Sequence, residues 1–230
     1  MAAPTALGEA TTAALSPAAP LRMTFEEYLA VDFEQGLAEW VNGEVVRSMS
    51  TTEVHQRVAE FLLALLRLFV HQRKLGRVIG EPYVMRAAAG GNGREPDVMF
   101  VATGHLSRLG PTYLEGPADL VIEVISDDSV SRDRDDKFTE YQDAGVREYW
   151  IIDPRPNRRR ADFYVLSDKG RYQPVPIPDD NRYRSTVLAG FWLDVDCLWH
   201  DDPDELAALV AIVGSGNLPA SLSAPTSESG

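Results

Sequence analysis

The sequence has a single cysteine, no long apolar run and a shortage of basic residues, and each shortage excludes a class of protein. With Cys197 alone the chain forms no internal disulfide framework, and without a secretory signal pattern it is expected in a reducing cytoplasm. The most apolar stretch, residues 61–70, is interrupted by Arg67 and followed by basic residues, which indicates a core helix and not a membrane span.

The shortage of basic residues bears on the partners that the chain can bind. It has 22 Lys and Arg against 35 Asp and Glu, a net charge of −13. Six of the acids and none of the bases lie in residues 1–20 and 201–230, so the middle of the chain, with 29 acids, is still acidic. Nucleic-acid binding normally leaves a basic footprint. Contact with DNA would therefore depend on local basic patches and on a divalent metal that offsets clustered carboxylates.

One domain with two tails is the organisation that length and composition predict. A chain of 230 residues is long enough for one domain of moderate size with a substantial core. Residues 1–20 are rich in Ala, Thr and Pro without apolar periodicity, and residues 214–230 have the same character. We therefore predict disordered tails at 1–20 and 214–230 and a single domain over 21–213.

Between the tails, helical and strand periodicities alternate. Capping-box spacings predict helices that begin after Thr24 and Ser50, and Asn42-Gly43 predicts a two-residue β-hairpin. Other patterns predict strands over 77–87, 95–102, 119–126, 147–153, 161–167 and 170–177, and helices over 131–145 and 202–213. The predicted fold class is α/β or α+β. One mixed sheet with a helix-strand-strand-strand-helix-strand core is extended by N-terminal and C-terminal hairpins.

Glu123 stands in the middle of "DLVIEVIS", a pattern typical of a strand covered on both faces. A buried carboxylate needs a compensating partner, which can be a cation of the protein, a proton or a metal ion. Asp97, in "EPDVMF", lies on the preceding predicted strand, and two neighbouring carboxylates both ionise only with a cation between them. Mg²⁺, or Mn²⁺ in its place, suits such oxygen ligands. The plainer alternatives are that Asp97 caps a turn and that Glu123 forms a structural ion pair.

Lys137 and Tyr141 lie one turn apart on the charged helix that follows the Glu123 strand. A crossover helix packed on the sheet can direct a lysine near its start toward the strand ends. There the ammonium would orient or help deprotonate a water and stabilise charge on a phosphate. The alternative is that this charge-rich segment is a solvated helix face held by ion pairs between successive turns.

Asp97 after a proline, Glu123 on the next strand and Lys137 beyond, in this order of elements, resemble the PD-(D/E)XK nuclease superfamily. Longer phrases are similar to the Uma family of restriction-endonuclease-like proteins, over residues 22–200. They are "VNGEVV", "EPDVMF", "DLVIEVIS", "DKFTEYQDAGVREYWIIDP" and "LAGFWLDV". The resemblance implies a restriction-endonuclease-like fold and metal-dependent hydrolysis of phosphodiester bonds.

The resemblance also implies roles for particular residues, with Asp97 and Glu123 as catalytic metal ligands. The usual superfamily lysine sits two residues after the glutamate, where this chain has Ile125. Lys137 is therefore implied to take the catalytic role from the following helix, with Tyr141 as its helical support. If Lys137 does not reach the site, the chain would bind metal or DNA without cutting.

Four further residues have weaker support from the sequence. His55 resembles a histidine that some relatives offer to a metal, and its plainer interpretation is an ordinary residue at a helix start. Glu81, in "GEPYV", would add a further supporting carboxylate near the site. Glu39 and Glu44 flank the first predicted hairpin, and we expect them to face solvent or a partner subunit.

The segment "PRPNRRR" is the one concentrated basic patch of the sequence. Its arginines Arg158, Arg159 and Arg160 are predicted to contact DNA phosphates, and the alternative is a solvated turn that offsets the acidic surface. The prediction as a whole is a Mg²⁺- or Mn²⁺-dependent DNA endonuclease. We also expect a homodimer, since two-fold symmetry suits cleavage of two strands. The alternatives are an inactive binding or assembly module of the same fold and a metal-dependent phosphodiesterase for small substrates.

Overall fold

The computed structural model describes residues 21–31, 33, 38–47, 52–126 and 132–217. The predicted tail 1–20 and residues 218–230 of the other predicted tail lie outside this part of the chain, as does Ser50. Residues 214–217 are described. Gly214 caps the last helix, Ser215–Asn217 forms a 3₁₀ turn, and the Asn217 carbonyl accepts a hydrogen bond from Gln72. The folded chain therefore continues past the predicted boundary at 213.

Four helices and thirteen strands make up the regular structure of the described chain. The helices are α1 (Phe25–Ala30), α2 (Glu53–Arg73), α3 (Lys137–Ala144) and α4 (Glu205–Val213). The strands are β1 (Leu21–Arg22), β2 (Ala38–Val41), β3 (Glu44–Arg47), β4 (Gly76–Gly80), β5 (Val84–Arg86), β6 (Val98–Ala102), β7 (Tyr113–Glu115), β8 (Leu120–Val124), β9 (Glu148–Asp153), β10 (Arg160–Leu166), β11 (Tyr172–Val175), β12 (Arg182–Arg184) and β13 (Trp192–Asp194). In the described residues, no helix is both long and apolar enough to span a lipid bilayer.

A six-stranded mixed sheet forms the centre of the molecule, as predicted. Its strand order is β11-β10-β9-β8-β6-β4, with β8 and β9 parallel and the other neighbours antiparallel. Helices α2 and α4 pack on one face of this sheet and α3 packs on the other. Residues of β8 alternate between the two cores because successive side chains of a strand point to opposite faces: Ile122 belongs to the first and Val121 to the second.

The N-terminal hairpin has the predicted turn but stands apart from the main sheet. Asn42 and Gly43 both have positive φ, 51° and 83°, as a type I′ turn requires. Strands β2 and β3 pair with β1 in a separate three-stranded sheet, against which α1 packs. Thr24 and Glu27 form the predicted capping box of α1. The predicted capping box at Ser50 is wrong, because α2 begins at Glu53 and Thr52 is its N-cap.

Several boundaries and pairings differ from the predictions. The predicted strand 77–87 is divided at Glu81: β4 joins the main sheet, whereas β5 leaves it and pairs in parallel with β7. Within the predicted helix 131–145, the chain forms a π-helical turn, Arg132–Asp136, that is followed by α3. Strands β10 and β11 form the predicted C-terminal hairpin and extend the sheet. Strands β12 and β13 were not predicted.

The direction of the strands determines which side chains meet. Strands β4, β8 and β9 end, and β6 and β10 begin, at the same end of the central sheet. We call this the site end, because Glu81, Asp97 and Glu123 lie there. The opposite end, where Asp119 precedes β8 and Glu148 begins β9, is called the far end.

Candidate active site at one end of the sheet

Asp97 and Glu123 come from neighbouring antiparallel strands. Val98 pairs with Ile122, and continuing this register by one residue places Asp97 across from Glu123. Both side chains are buried, at 7% and 3% exposure. The strand pattern therefore brought two carboxylates to adjacent positions of the sheet, as predicted.

Glu123 is held by two residues of α3. The Tyr141 hydroxyl donates a 2.8 Å hydrogen bond to Glu123 Oε1, and Lys137 Nζ lies 2.9 Å from Glu123 Oε2. Lys137 begins α3 and Tyr141 follows one turn later, so both point toward the same strand. Burial, followed by the charge of Glu123, raises the pKa of the Tyr141 hydroxyl well above its usual value, so this group stays a neutral donor. Helix α3 thus places a lysine beside Glu123, whereas the position two residues after Glu123 is occupied by Ile125.

Glu39, on β2, is part of the same site, which the sequence did not indicate. Lys137 Nζ lies 3.0 Å from Glu39 Oε1, and Arg94 Nη1 lies 3.0 Å from Glu39 Oε2. The expectation that Glu39 faces solvent or a partner subunit is wrong: it is only 4% exposed, because Lys137, Arg94 and the Glu95 backbone surround its carboxylate. The partly exposed Glu44, by contrast, pairs with Arg22 at the surface.

Arg94 connects Glu39 to α3. Its Nε lies 2.9 Å from Glu140 Oε2 and its Nη2 lies 2.5 Å from Glu140 Oε1, a bidentate arrangement. The Glu95 N–H also donates to Glu39 Oε1 at 3.3 Å. Burial lowers the pKa of Arg94, but the hydrogen bond with Glu140 and the charges of Glu39 and Glu140 outweigh it, so the pKa is raised and Arg94 stays charged. One signal could have revealed Glu39: it is an acid inside the apolar strand "AEWV", the same signal that revealed Glu123.

Asp97 is held by a backbone amide and by a histidine. The Val124 N–H donates to Asp97 Oδ2 at 2.5 Å, and His55 Nε2 lies 3.4 Å from Asp97 Oδ1. Burial lowers the pKa of His55, but the hydrogen bond and charge of Asp97, together with the charge of Glu81, outweigh it and raise that pKa. His55 therefore contacts Asp97 from the first turn of α2.

Glu81 and Glu95 are the two carboxyl groups of the site whose pKa is raised. Burial, followed by the charge of Asp97, raises the pKa of Glu81 to about 7. Burial also raises the pKa of Glu95 to about 7, with a further contribution from Glu39. Glu81 Oε2 and His55 Nδ1 are buried without a hydrogen-bond partner in the described part of the chain. Buried polar atoms are normally paired, so these two atoms have room in their hydrogen bonding for a water molecule or a ligand.

The fit of a divalent cation can be judged from these donors. Within the described residues, no three or more His, Cys, Asp or Glu side chains are grouped to bind a metal. The predicted set of Asp97, Glu123 and His55 does not form such a group of three: Asp97 lies beside His55, whereas the Glu123 oxygens face Lys137 and Tyr141. Mg²⁺ usually takes only one or two carboxylates and completes its octahedron with water and phosphate. Asp97 with Glu81, whose Oε2 is unpaired, fits such a site.

The basic segment lies in the turn between β9 and β10, which leaves the sheet at the site end. Arg158, Arg159 and Arg160 are all exposed. Arg160 Nε lies 2.7 Å from Asp162 Oδ1, whereas Arg158 and Arg159 have no acidic partner among the described side chains. These two arginines are therefore the cations of the segment that can meet an anion approaching this end of the sheet.

Comparison with known proteins gives a family and a fold. Residues 25–196, about three quarters of the chain, match the Uma2 family model, described as "Putative restriction endonuclease". A crystal structure titled as a "putative nuclease belonging to DUF820" from Anabaena variabilis is similar, with a TM-score of 0.58 and 15% identity. The similarity covers 77% of this chain and 97% of that one, which confirms the mixed-sheet, nuclease-like fold. No match was found among the curated proteins. The chain therefore belongs to the Uma2 family.

Proposed function

We propose that this chain is a metal-dependent nuclease that hydrolyses DNA phosphodiester bonds at the site end of its sheet. The observation that carries the proposal is the position of Lys137. Its Nζ lies 2.9 Å from the carboxylate of Glu123, and Glu123 is the cross-strand neighbour of Asp97. A lysine beside two strand carboxylates is the arrangement that nuclease chemistry needs, and here the lysine comes from α3. Membership of the Uma2 family supports the same reaction class.

Asp97 and Glu81 would hold the divalent cation, Mg²⁺ or Mn²⁺, with His55 and Glu123 beside them. When bound, such an ion lowers the pKa of a water molecule and neutralises phosphate charge. The clustered acids are the reason why a cation is favourable here. Burial, together with the charge of Asp97 on Glu81 and of Glu39 on Glu95, raises the pKa of both carboxyl groups to about 7, and a bound cation would offset that charge.

The protein side chains have separate tasks in this proposal. The Lys137 ammonium stabilises negative charge on a phosphate oxygen and orients the attacking water. The Tyr141 hydroxyl keeps Glu123 in place by a 2.8 Å hydrogen bond. Arg158 and Arg159 contact backbone phosphates on either side of the scissile one, which fixes the duplex without selecting its sequence.

A substrate panel tests the proposal. Purified protein is incubated with plasmid, single-stranded DNA, RNA and a chromogenic phosphodiester, each with Mg²⁺, Mn²⁺ or EDTA. We expect cleavage of DNA that requires the metal and that Lys137→Met reduces by about 100-fold or more. Cleavage of the chromogenic substrate alone would support a phosphodiesterase for small substrates instead.

The matched control for contaminating nucleases is Lys169→Met. Lys169 is exposed in the turn between β10 and β11, at the far end of the sheet, so this variant should retain full activity. Both variants are compared with the wild type by circular dichroism and thermal unfolding. Metal-dependent DNA binding without any cleavage would overturn the proposal in favour of a binding module.

A further inference from the structure

Glu39 and Arg94 are buried charged side chains that the proposed chemistry does not use. We propose that they are positioning residues: Glu39 fixes the Lys137 ammonium against Glu123, and Arg94 fixes Glu39. This inference rests on the proposed nuclease function for its activity measurements, and it can also be tested without them.

The Lys137 ammonium is held between carboxylates from two different sheets. Glu39 Oε1 lies 3.0 Å from Lys137 Nζ and Glu123 Oε2 lies 2.9 Å from it. The three side chains are only 3–5% exposed. A lysine has a flexible four-carbon chain and loses side-chain entropy when it is fixed. Two anions that approach it from the N-terminal hairpin and from the central sheet determine its position better than one.

The two oxygens of Glu39 have different partners. Oε1 accepts from Lys137 and from the Glu95 N–H, and Oε2 accepts from Arg94. Arg94 in turn uses its Nε and Nη2 to bind Glu140 on α3. The planar guanidinium therefore bridges the hairpin and the helix in a fixed geometry, which an ammonium cannot do.

Stability alone is a weak reason for this arrangement. Buried ion pairs usually gain little over apolar side chains of the same volume, because desolvation offsets the attraction. Glu39, Arg94, Lys137 and Glu123 are nonetheless all buried at one place. The register of β6 and β8 places Glu123 across from Asp97, so these four charged residues lie at the proposed active site, where the position of the lysine matters.

The kinetic test separates a positioning role from a structural one. Glu39→Gln is expected to lower kcat about tenfold with KM nearly unchanged, since the interaction that it removes acts through Lys137. The double variant Glu39→Gln with Lys137→Met should be no slower than Lys137→Met alone. Additive losses in the double variant would overturn the inference, because they would mean that Glu39 acts independently of the lysine.

The control lies on the same hairpin. Glu44→Gln removes a carboxylate that pairs with Arg22 at the surface, and it should leave kcat unchanged. If Glu39→Gln does not fold, Arg94→Lys replaces it in the test: it keeps the charge but cannot bridge Glu39 and Glu140, and we expect kcat to fall about threefold. Unchanged kcat in a folded Arg94→Lys protein would contradict the role of Arg94.

Amine labelling tests the same inference without nuclease activity. The chain has three lysines, of which Lys74 and Lys169 are exposed and Lys137 is buried. With limiting acylating reagent and mass spectrometry, Lys137 should label slowest in the wild type. In Glu39→Gln its labelling should accelerate about fivefold or more, while the other two lysines stay unchanged and serve as internal standards. If Lys137 labels equally slowly in both proteins, the inference fails, whatever the substrate panel gives.

Discussion

The two ends of the central sheet each hold an aspartate that pairs with a backbone amide and a histidine. At the site end, Asp97 accepts from the Val124 N–H at 2.5 Å and lies 3.4 Å from His55. At the far end, Asp119 accepts from the Ala102 N–H at 2.7 Å and lies 3.0 Å from His105. Both pairs join an aspartate to a backbone amide and a histidine, although the His105 side chain is 38% exposed and that of His55 is 4% exposed, so an aspartate with a histidine does not by itself mark an active site.

The surroundings of the two pairs are what differ. The far end also contains the fully buried Glu148, whose carboxylate accepts six hydrogen bonds from neutral donors in the described chain. The donors are Trp150 Nε1, the Tyr183 hydroxyl, Ser185 Oγ, the N–H and Oγ1 of Thr186 and the Val187 N–H. At the site end, Glu123 and Glu39 pair with the cations Lys137 and Arg94, and further acids lie beside them. The comparison teaches that the clustering of several acids, and not the burial of any one of them, distinguishes the end of the sheet where we propose that a cation binds.

The largest effect on stability is expected from Glu148→Ala. This substitution leaves up to six donors unsatisfied in the core, so we expect the free energy of unfolding to fall by about 4 kcal/mol. Urea unfolding followed by circular dichroism measures the change. A loss below about 1 kcal/mol would show that water replaces the carboxylate and that the far end is less rigid than the structure indicates.

The largest effect on activity is expected from Glu123→Gln. The amide oxygen can still accept from Tyr141, but the amide NH2 then faces the buried Lys137 ammonium, donor against donor, so we expect the free energy of unfolding to fall by about 3 kcal/mol with the fold retained. Loss of the charge should nonetheless slow DNA cleavage about 100-fold or more. Asp119→Asn is the matched far-end control, and it should retain activity when initial rates on plasmid are compared. Equal losses in the two variants would remove the distinction between the ends.

The pH dependence of stability is expected to come from the site end. The unfolded chain loses the Glu81 proton near the ordinary glutamate pKa of 4.5, whereas burial raises that pKa to about 7 in the folded chain. The folded state therefore binds more protons in this range, and the free energy of unfolding falls as pH rises through it. The raised pKa of His55 acts in the same direction.

Between pH 5 and pH 8 the free energy of unfolding should fall by about 1 kcal/mol less in Glu81→Gln than in the wild type, after allowance for solvent screening. Urea unfolding at several pH values measures it, with Glu44→Gln as the control. A slope that is the same in wild type and Glu81→Gln would mean that Glu81 titrates normally in the folded protein.

The smallest effect is expected from the exposed arginines. Replacing Arg158 and Arg159 together by Gln should weaken DNA binding at low salt and reduce the slope of log affinity against log salt by about 2, because each phosphate contact contributes about one. The free energy of unfolding should not change. Lys169→Gln, in the far-end turn, is the control. Fluorescence anisotropy over a salt series measures the slope, and an unchanged slope would make the segment a solvated turn.

Much of the architecture could be predicted from periodicity. Strands β6, β8 and β9 are buried on both faces and read as nearly continuous apolar runs, so the order of the core elements and the mixed sheet were correctly predicted. Asn42-Gly43 gave the hairpin because few other dipeptides tolerate two residues with positive φ. These patterns depend only on residues that are near in sequence, so they can be recognised without knowledge of the tertiary structure.

The pairings that failed are short and distant in sequence. Strands β5 and β7 have three residues each, too few to establish a period of two, and their parallel pairing joins 84–86 to 113–115. The hairpin of β2 and β3 has a clear turn, but the acid inside its strand "AEWV" is a weak signal of burial, because four residues do not establish which face packs on another element. Glu39 was therefore placed in solvent, although its packing against Lys137 and Arg94 makes it a central residue of the site.

Calorimetric titration with Mn²⁺ at pH 8 tests the central claim, that the site end holds a divalent cation at Asp97, most directly. The wild type and Asp119→Asn should each bind the ion at one site, and Asp97→Asn should lose that site while it remains folded. The two substitutions remove the same charge from similar Asp–His pairs, so the surroundings are the variable that differs. No binding to the wild type, or the same binding to Asp97→Asn, would contradict the account.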